Sequence, residues 1–176
     1  MKVRLIFVVL LLLMAGVFLV QYPRSGRSVR PLSFEQLLRE IEFASKPVLI
    51  IHFWATWCEP CRHEFPVWVD LIRESDGSKV AFLLISADLM EDREQVERFL
   101  APFKTGTFII EGATQDFLTQ LSDEWTGALP ATFIFNRDEG WVDFWEGGLP
   151  ADALRRRVRR SYHQLQHEES GHEDAQ

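Results

Sequence analysis

The stretch FWATWCEPCRHEFP, Phe53–Pro66, contains both cysteines of a 176-residue chain. Cys58 and Cys61 stand two residues apart. The run that leads into them, VLIIHFW (Val48–Trp54), is made of β-formers with little polar alternation, as in a strand buried on both faces. The run that follows, Glu59 to about Glu74, carries Phe65, Trp68, Val69 and Ile72 at helical spacing. Pro66 lies inside it and is expected to kink the helix, because its ring displaces the bond to the Arg62 carbonyl. A strand running directly into a helix puts Cys58 near the N-cap and Cys61 three residues on. Side chains at those positions meet, as in a capping box, so the two sulfurs come within disulfide range. Unpaired N–H groups and the partial positive charge of a helix start favour a thiolate on Cys58. Pro60 falls in the first turn, where a missing N–H costs little.

A dithiol that cycles with a disulfide suits this spacing and context. A structural zinc site needs four ligands, and there is no second cysteine pair. A purely structural disulfide would close a very short loop and add little stability. Two thiolates and a histidine suit Cu(I), yet no histidine lies between His63 and His163. A Cu(I)-carrying or redox-inert docking module therefore stands as the alternative from another functional class.

The rest of the chain frames this centre. The formal net charge is −7, and Lys2 and Arg4 are the only charged residues before position 21. The excess of acid argues against a general nucleic-acid binder. MKVRLIFVVLLLLMAGVFLV places two basic residues before an apolar run, Leu5–Val20. Sixteen helical residues reach about 24 Å, slightly short of a bilayer core unless flanking residues snorkel. A retained anchor over residues 1–21 is favoured over a cleaved signal peptide, because no clear A-x-A site follows. Basic residues flank both ends, so charge alone does not orient the span. Residues 22–32 read as a polar linker, 33–166 as one domain and 167–176 as a disordered tail.

Within the domain, Ser33 caps an expected helix over Phe34–Phe43. VAFLLIS (Val80–Ser86) and TFII (Thr107–Ile110) read as strands, and EDREQVERFLAPF as an amphipathic helix. A short helix is expected over Ala113–Leu121. LPATFIFNRDEGWVDFW reads as a hairpin turning at Arg137–Gly140. A final helix is expected from about Ala151 to Gln166. The sum is an α/β domain, a mixed central sheet with helices on both faces. The arginines of RRRVRR, Arg155–Arg160, read as the solvated side of the last helix, with anionic lipid as the other reading. Trp68, Trp125, Trp141 and Trp145 read as core or edge aromatics, with Trp125 near the loop before Pro130.

FWATWCEPCRHEFP resembles the thioredoxin superfamily, and within it the membrane-anchored TlpA/ResA/DsbE group of thiol–disulfide oxidoreductases. Phe53–Cys61, Arg62, Glu64 and Pro66 match that group's pattern, and LPATFIFN (Leu129–Asn136) resembles its cis-proline strand. The resemblance implies a thioredoxin fold behind one N-terminal anchor. It makes Cys58 the attacking thiol, Cys61 the resolving thiol, and Cys58–Cys61 the redox disulfide. Pro130 would be cis and lie against the pair. Read alone, it is an ordinary trans proline at a strand start. The Leu129 backbone would pair with substrate, and Trp57, Glu59 and Pro60 would shape the site beside Trp54. His52 stands where thioredoxin has a buried acid and TlpA-like proteins often have Asn. It is read either as a proton relay to Cys61 or, preferably, as a neutral core histidine with one hydrogen bond. The ResA type also implies an active-site acid after the second strand, and SADLMED offers Asp88 or Glu91.

The implied activity is reduction of disulfides in extracytoplasmic proteins, with apocytochrome c as the leading substrate of the group. The implied location is the cytoplasmic membrane with the domain facing the periplasm, recharged by a membrane thiol-electron donor. No cofactor, metal or nucleic acid is called for. Glu59 puts negative charge beside Cys58, which opposes the helix-end effect and favours a reductase over a disulfide-forming oxidase of the same fold.

Overall fold

The computed structural model describes residues 29–112, 120–137 and 140–161. The apolar run Leu5–Val20, most of the Ala113–Leu121 segment and the tail lie outside the described residues. Among the described residues no helix is long and apolar enough to cross a membrane.

Six strands form one sheet: β1 (Val29–Leu32), β2 (Val48–Trp54), β3 (Val80–Ser86), β4 (Thr107–Ile110), β5 (Ala131–Asn136) and β6 (Gly140–Glu146). Their order is β1-β4-β3-β2-β5-β6. The first four in that order run parallel, whereas β5 pairs antiparallel with β2 and β6 antiparallel with β5. The helices are α1 (Phe34–Glu42), α2 (Glu59–Glu74), α3 (Arg93–Leu100) and α4 (residues 151–161), with a 3-10 turn at Met90–Asp92 before α3. Ser33 caps α1 through a reciprocal pair with Gln36.

β2 is buried at every position because helices cover both faces of the sheet. Its side chains alternate between the layers. Leu49, Ile51 and Phe53 pack with Leu37 of α1 and with Leu121, Trp125 and Phe133. On the other face, Trp54 packs with Phe65 of α2 and Val96 of α3, and Ile50 with Trp68 of α2 and Leu154 of α4. α2 runs unbroken through Pro66.

One boundary differs from the sequence reading. Residues 22–32 read as linker, but Val29–Leu32 form β1, in parallel register with β4. Val29 and Leu32 are buried while Arg30 and Pro31 are not. Pro31 hides the strand from pattern reading, and it is tolerated because an edge strand leaves N–H groups unused. The arginine run is also mostly structural. Arg155 binds Asp70 and Glu74, Arg159 binds Glu74, and Arg157 makes two bonds to Asp143 while lying over the Trp145 ring. Arg156 and Arg160 make no ion pair with described residues.

Candidate active site

The sheet order builds the site. β2 ends at Trp54 and the chain passes through three residues to Cys58, the N-cap of α2. β5 runs antiparallel to β2, with Phe53 opposite Ala131, so the residue before β5 sits at the same end of the sheet. That residue is Pro130, joined to Leu129 by a cis peptide bond. Leu129 packs against the cluster that contains both cysteines, and the Pro130 carbonyl accepts from Gly147 N at 2.7 Å. The loop before Pro130 is held by Trp125, which packs 4.7 Å from Phe53 and donates from Nε1 to the Ala128 carbonyl. Trp125 is thus both core residue and support for this loop.

Cys58 and Cys61 form a disulfide with Cα atoms 5.3 Å apart. Cys58 Sγ accepts the Cys61 backbone N–H at 3.3 Å, and the Cys58 carbonyl receives Arg62 N. Cys61 is fully buried whereas Cys58 keeps 6% exposure, so an incoming group can reach only Cys58. Trp57, Glu59 and Pro60 surround it on the outside, and Trp57 is 65% exposed. The helix-start N–H on Cys58 Sγ favours the thiolate when the disulfide opens.

Between β2 and α2 lies a polar contact in an apolar layer. His52 is fully buried and projects from β2 toward α2, its ring 4.3 Å from Trp68. Its Nδ1 is 3.0 Å from Thr132 Oγ1, the residue opposite it on β5. Nε2 has no hydrogen-bond partner and stands 3.6 Å from Glu64 Oε1. Burial lowers the His52 pKa to about 3, so the imidazole is neutral. Glu64, one turn after Cys61, is also buried. Burial raises its pKa, partly opposed by N–H donors from Leu149 and Trp68 Nε1. The separation is too long for a hydrogen bond and burial disfavours both charges, so the pair is a contact and not a salt bridge. Glu64 also lines a cleft of about 430 Å³ with Pro60, His63, Val67 and Leu149.

Neither acid of SADLMED joins the sulfurs. Asp88 is buried and accepts Thr56 N at 2.9 Å, Thr56 Oγ1 at 2.5 Å and Ser86 Oγ at 2.6 Å. It clamps the turn before Cys58. Glu91 lies exposed in the 3-10 turn. Glu64, which matches the motif but carries no role in the sequence reading, is the acid that the structure places against His52, one turn after Cys61. Its helical spacing from Cys61 was the available signal. Among the described residues no group of three or more His, Cys, Asp or Glu is placed to hold a metal ion.

Residues 27–100 match the Thioredoxin family model. The thiol–disulfide oxidoreductase ResA of Oceanobacillus iheyensis is 28% identical over 107 residues, 60% of this chain and 53% of that protein. The chain spans about half the length of the curated relatives it matches. Among solved structures, a thioredoxin-related protein from Neisseria meningitidis serogroup B aligns with a TM-score of 0.55 at 24% identity, over 66% of this chain and 86% of that one. A thiol:disulfide interchange protein of the thioredoxin family from Chlorobium tepidum aligns at 0.54 and 19% identity, over 69% and 83%. The fold, the disulfide at the start of α2, the match of residues 27–100 and the ResA relatives together make this chain similar to thioredoxin-superfamily proteins of the TlpA/ResA/DsbE-like kind.

Proposed function

We propose that the chain is a protein thiol–disulfide oxidoreductase working through Cys58 and Cys61. The observation that carries this reading is the disulfide at the first turn of α2, with one sulfur sealed and the other at the surface under a helix-start N–H. In the reducing direction the Cys58 thiolate attacks a substrate disulfide and forms a mixed disulfide, releasing the substrate's other sulfur as a thiolate. Cys61 then attacks Cys58, frees the second substrate sulfur and closes the Cys58–Cys61 bond. Cys61 must lose its proton inside an apolar layer. A neutral imidazole whose conjugate acid has a pKa of about 3 is a poor acceptor. Glu64 suits that task better, because burial raises the basicity of its carboxylate and it borders an open cleft. His52 then acts as its neutral neighbour.

We assign the direction as reduction, on the negative charge of Glu59 at the first position of α2. The resemblance to ResA-type proteins supports disulfides of extracytoplasmic proteins as substrates, apocytochrome c among them. It also supports a membrane anchor in residues 1–21, a periplasm-facing domain and a membrane thiol donor. The deciding experiment is the reduction potential of the pair, read by alkylation after equilibration in dithiol buffers. A value near or below about −270 mV supports the reductase, whereas one near about −120 mV assigns an oxidase. Absence of exchange removes the enzyme reading, and a Cu(I) titration then tests the carrier alternative.

A further inference from the structure

The large apolar side chains exposed among the described residues are Leu38, Phe43, Trp57, Leu89 and Met90. Trp57, Leu89 and Met90 all follow the ends of β2 and β3 at the redox end, and the reason lies in the strand order. β2 and β3 are parallel neighbours with Trp54 beside Ser86, so both chains leave the sheet side by side. Ala87 N donates to the Trp54 carbonyl at 2.8 Å, and Asp88 takes both the N–H and the hydroxyl of Thr56. Gln95 of α3 adds a bond to Thr56 Oγ1. This buried clamp joins the residues immediately before Trp57 and Leu89. Trp57 and Leu89 thus leave the clamp at the same end of the sheet, 65% and 62% exposed, with Met90 at 38%.

An apolar surface on so tightly bonded a base, beside the one accessible sulfur, needs an occupant. Its rim is acidic. Glu59, Glu91 and Asp92 make no ion pair with described residues and outnumber the one such cation beside them, Arg62, which lines a pocket with Glu59, whereas Arg93 is engaged by Glu97 at 2.8 Å. Such a rim repels an anionic bilayer and a second copy of itself, and attracts a basic polypeptide. Resting on the oxidoreductase reading, we propose that Trp57, Leu89 and Met90 form a docking shelf for the polypeptide that exchanges with Cys58. The shelf selects a bulky apolar residue next to the partner's cysteine and a basic residue beyond it.

The test uses the full chain carrying Cys61→Ser, which holds a partner as a mixed disulfide. The Cys58 thiolate attacks a peptide whose cysteine bears a 2-thiopyridyl disulfide, forming the mixed disulfide and releasing thiopyridone, which is read by absorbance. One peptide places Leu beside the cysteine and the other Ser, both with Arg beyond. The first is expected to react about tenfold faster. Adding Leu89→Ser and Met90→Ser brings the ratio toward one and leaves the rate with 2,2′-dithiodipyridine unchanged. Equal rates for the two peptides, or a preference that survives both substitutions, overturn the shelf. A loss that extends equally to dithiodipyridine also overturns it, because the loop would then tune Cys58 reactivity. A dimer of the oxidised protein that the double substitution dissolves assigns the surface to a second copy. No reaction of the Cys61→Ser chain with dithiodipyridine defeats the oxidoreductase reading and the shelf with it.

Discussion

His52 makes the oxidised protein acid-sensitive, by an amount that follows from its burial. In the unfolded chain a histidine binds its proton near pH 6.5, whereas in the fold it resists until about pH 3. Between those values the unfolded state holds more protons, so stability falls as pH falls. The slope is about 1.4 kcal/mol per pH unit, or roughly 2 kcal/mol lost by pH 5. That figure depends little on the folded value, provided the folded pKa stays well below 5. Glu64 faces His52 and acts with the opposite sign. Its raised pKa makes the folded state the better proton binder above the ordinary carboxylate value, so its contribution to stability falls as pH rises. The comparison therefore belongs in a Glu64→Gln background. There, Glu64→Gln alone is set against Glu64→Gln with His52→Asn, which does not titrate and keeps a partner for Thr132 Oγ1. Urea midpoints at pH 7, 6 and 5 give the slopes. The protein retaining His52 should lose about 2 kcal/mol more between pH 7 and 5 than the Asn variant. Parallel curves would refute the reasoning, since they mean that His52 protonates in the fold and that its contact with Glu64 is an ion pair in the parent protein.

Asp88→Ala strands the buried Thr56 N–H and removes two hydroxyl partners. It should cost about 3 kcal/mol in urea unfolding, and a loss under about 1 kcal/mol would show that the clamp is dispensable. Gly148→Ala adds a Cβ 3.0 Å from the Pro60 Cβ. It should cost about 1 kcal/mol and alter alkylation of reduced Cys58, while an unchanged rate would separate this loop from the site. Arg157→Ala loses the Asp143 pair and the Trp145 face, and thermal melts should show about 1–2 kcal/mol. Arg156→Ala should stay within about 0.5 kcal/mol, and equal effects would return the arginine run to a single role.

The sequence alone determined the centre of this protein. The β2–Cys58–α2 unit was legible because capping, helix periodicity and a continuous apolar strand are local properties, expressed within a few residues of one another. The cis Leu129–Pro130 bond was legible through resemblance. Tertiary structure decided what lies around that unit. β1 carries too few residues, with Pro31 among them, to show a period, and only its pairing with β4 defines it. Asp88 was visible as an acid after a strand, but its clamp on Thr56 exists only because β3 is the parallel neighbour of β2. Glu64 and His52 lie on different elements, and the packing of α2 on β2 alone brings them to 3.6 Å. Contacts of this kind depend on strand order and layer packing, which join residues distant in the chain and leave no local pattern to read.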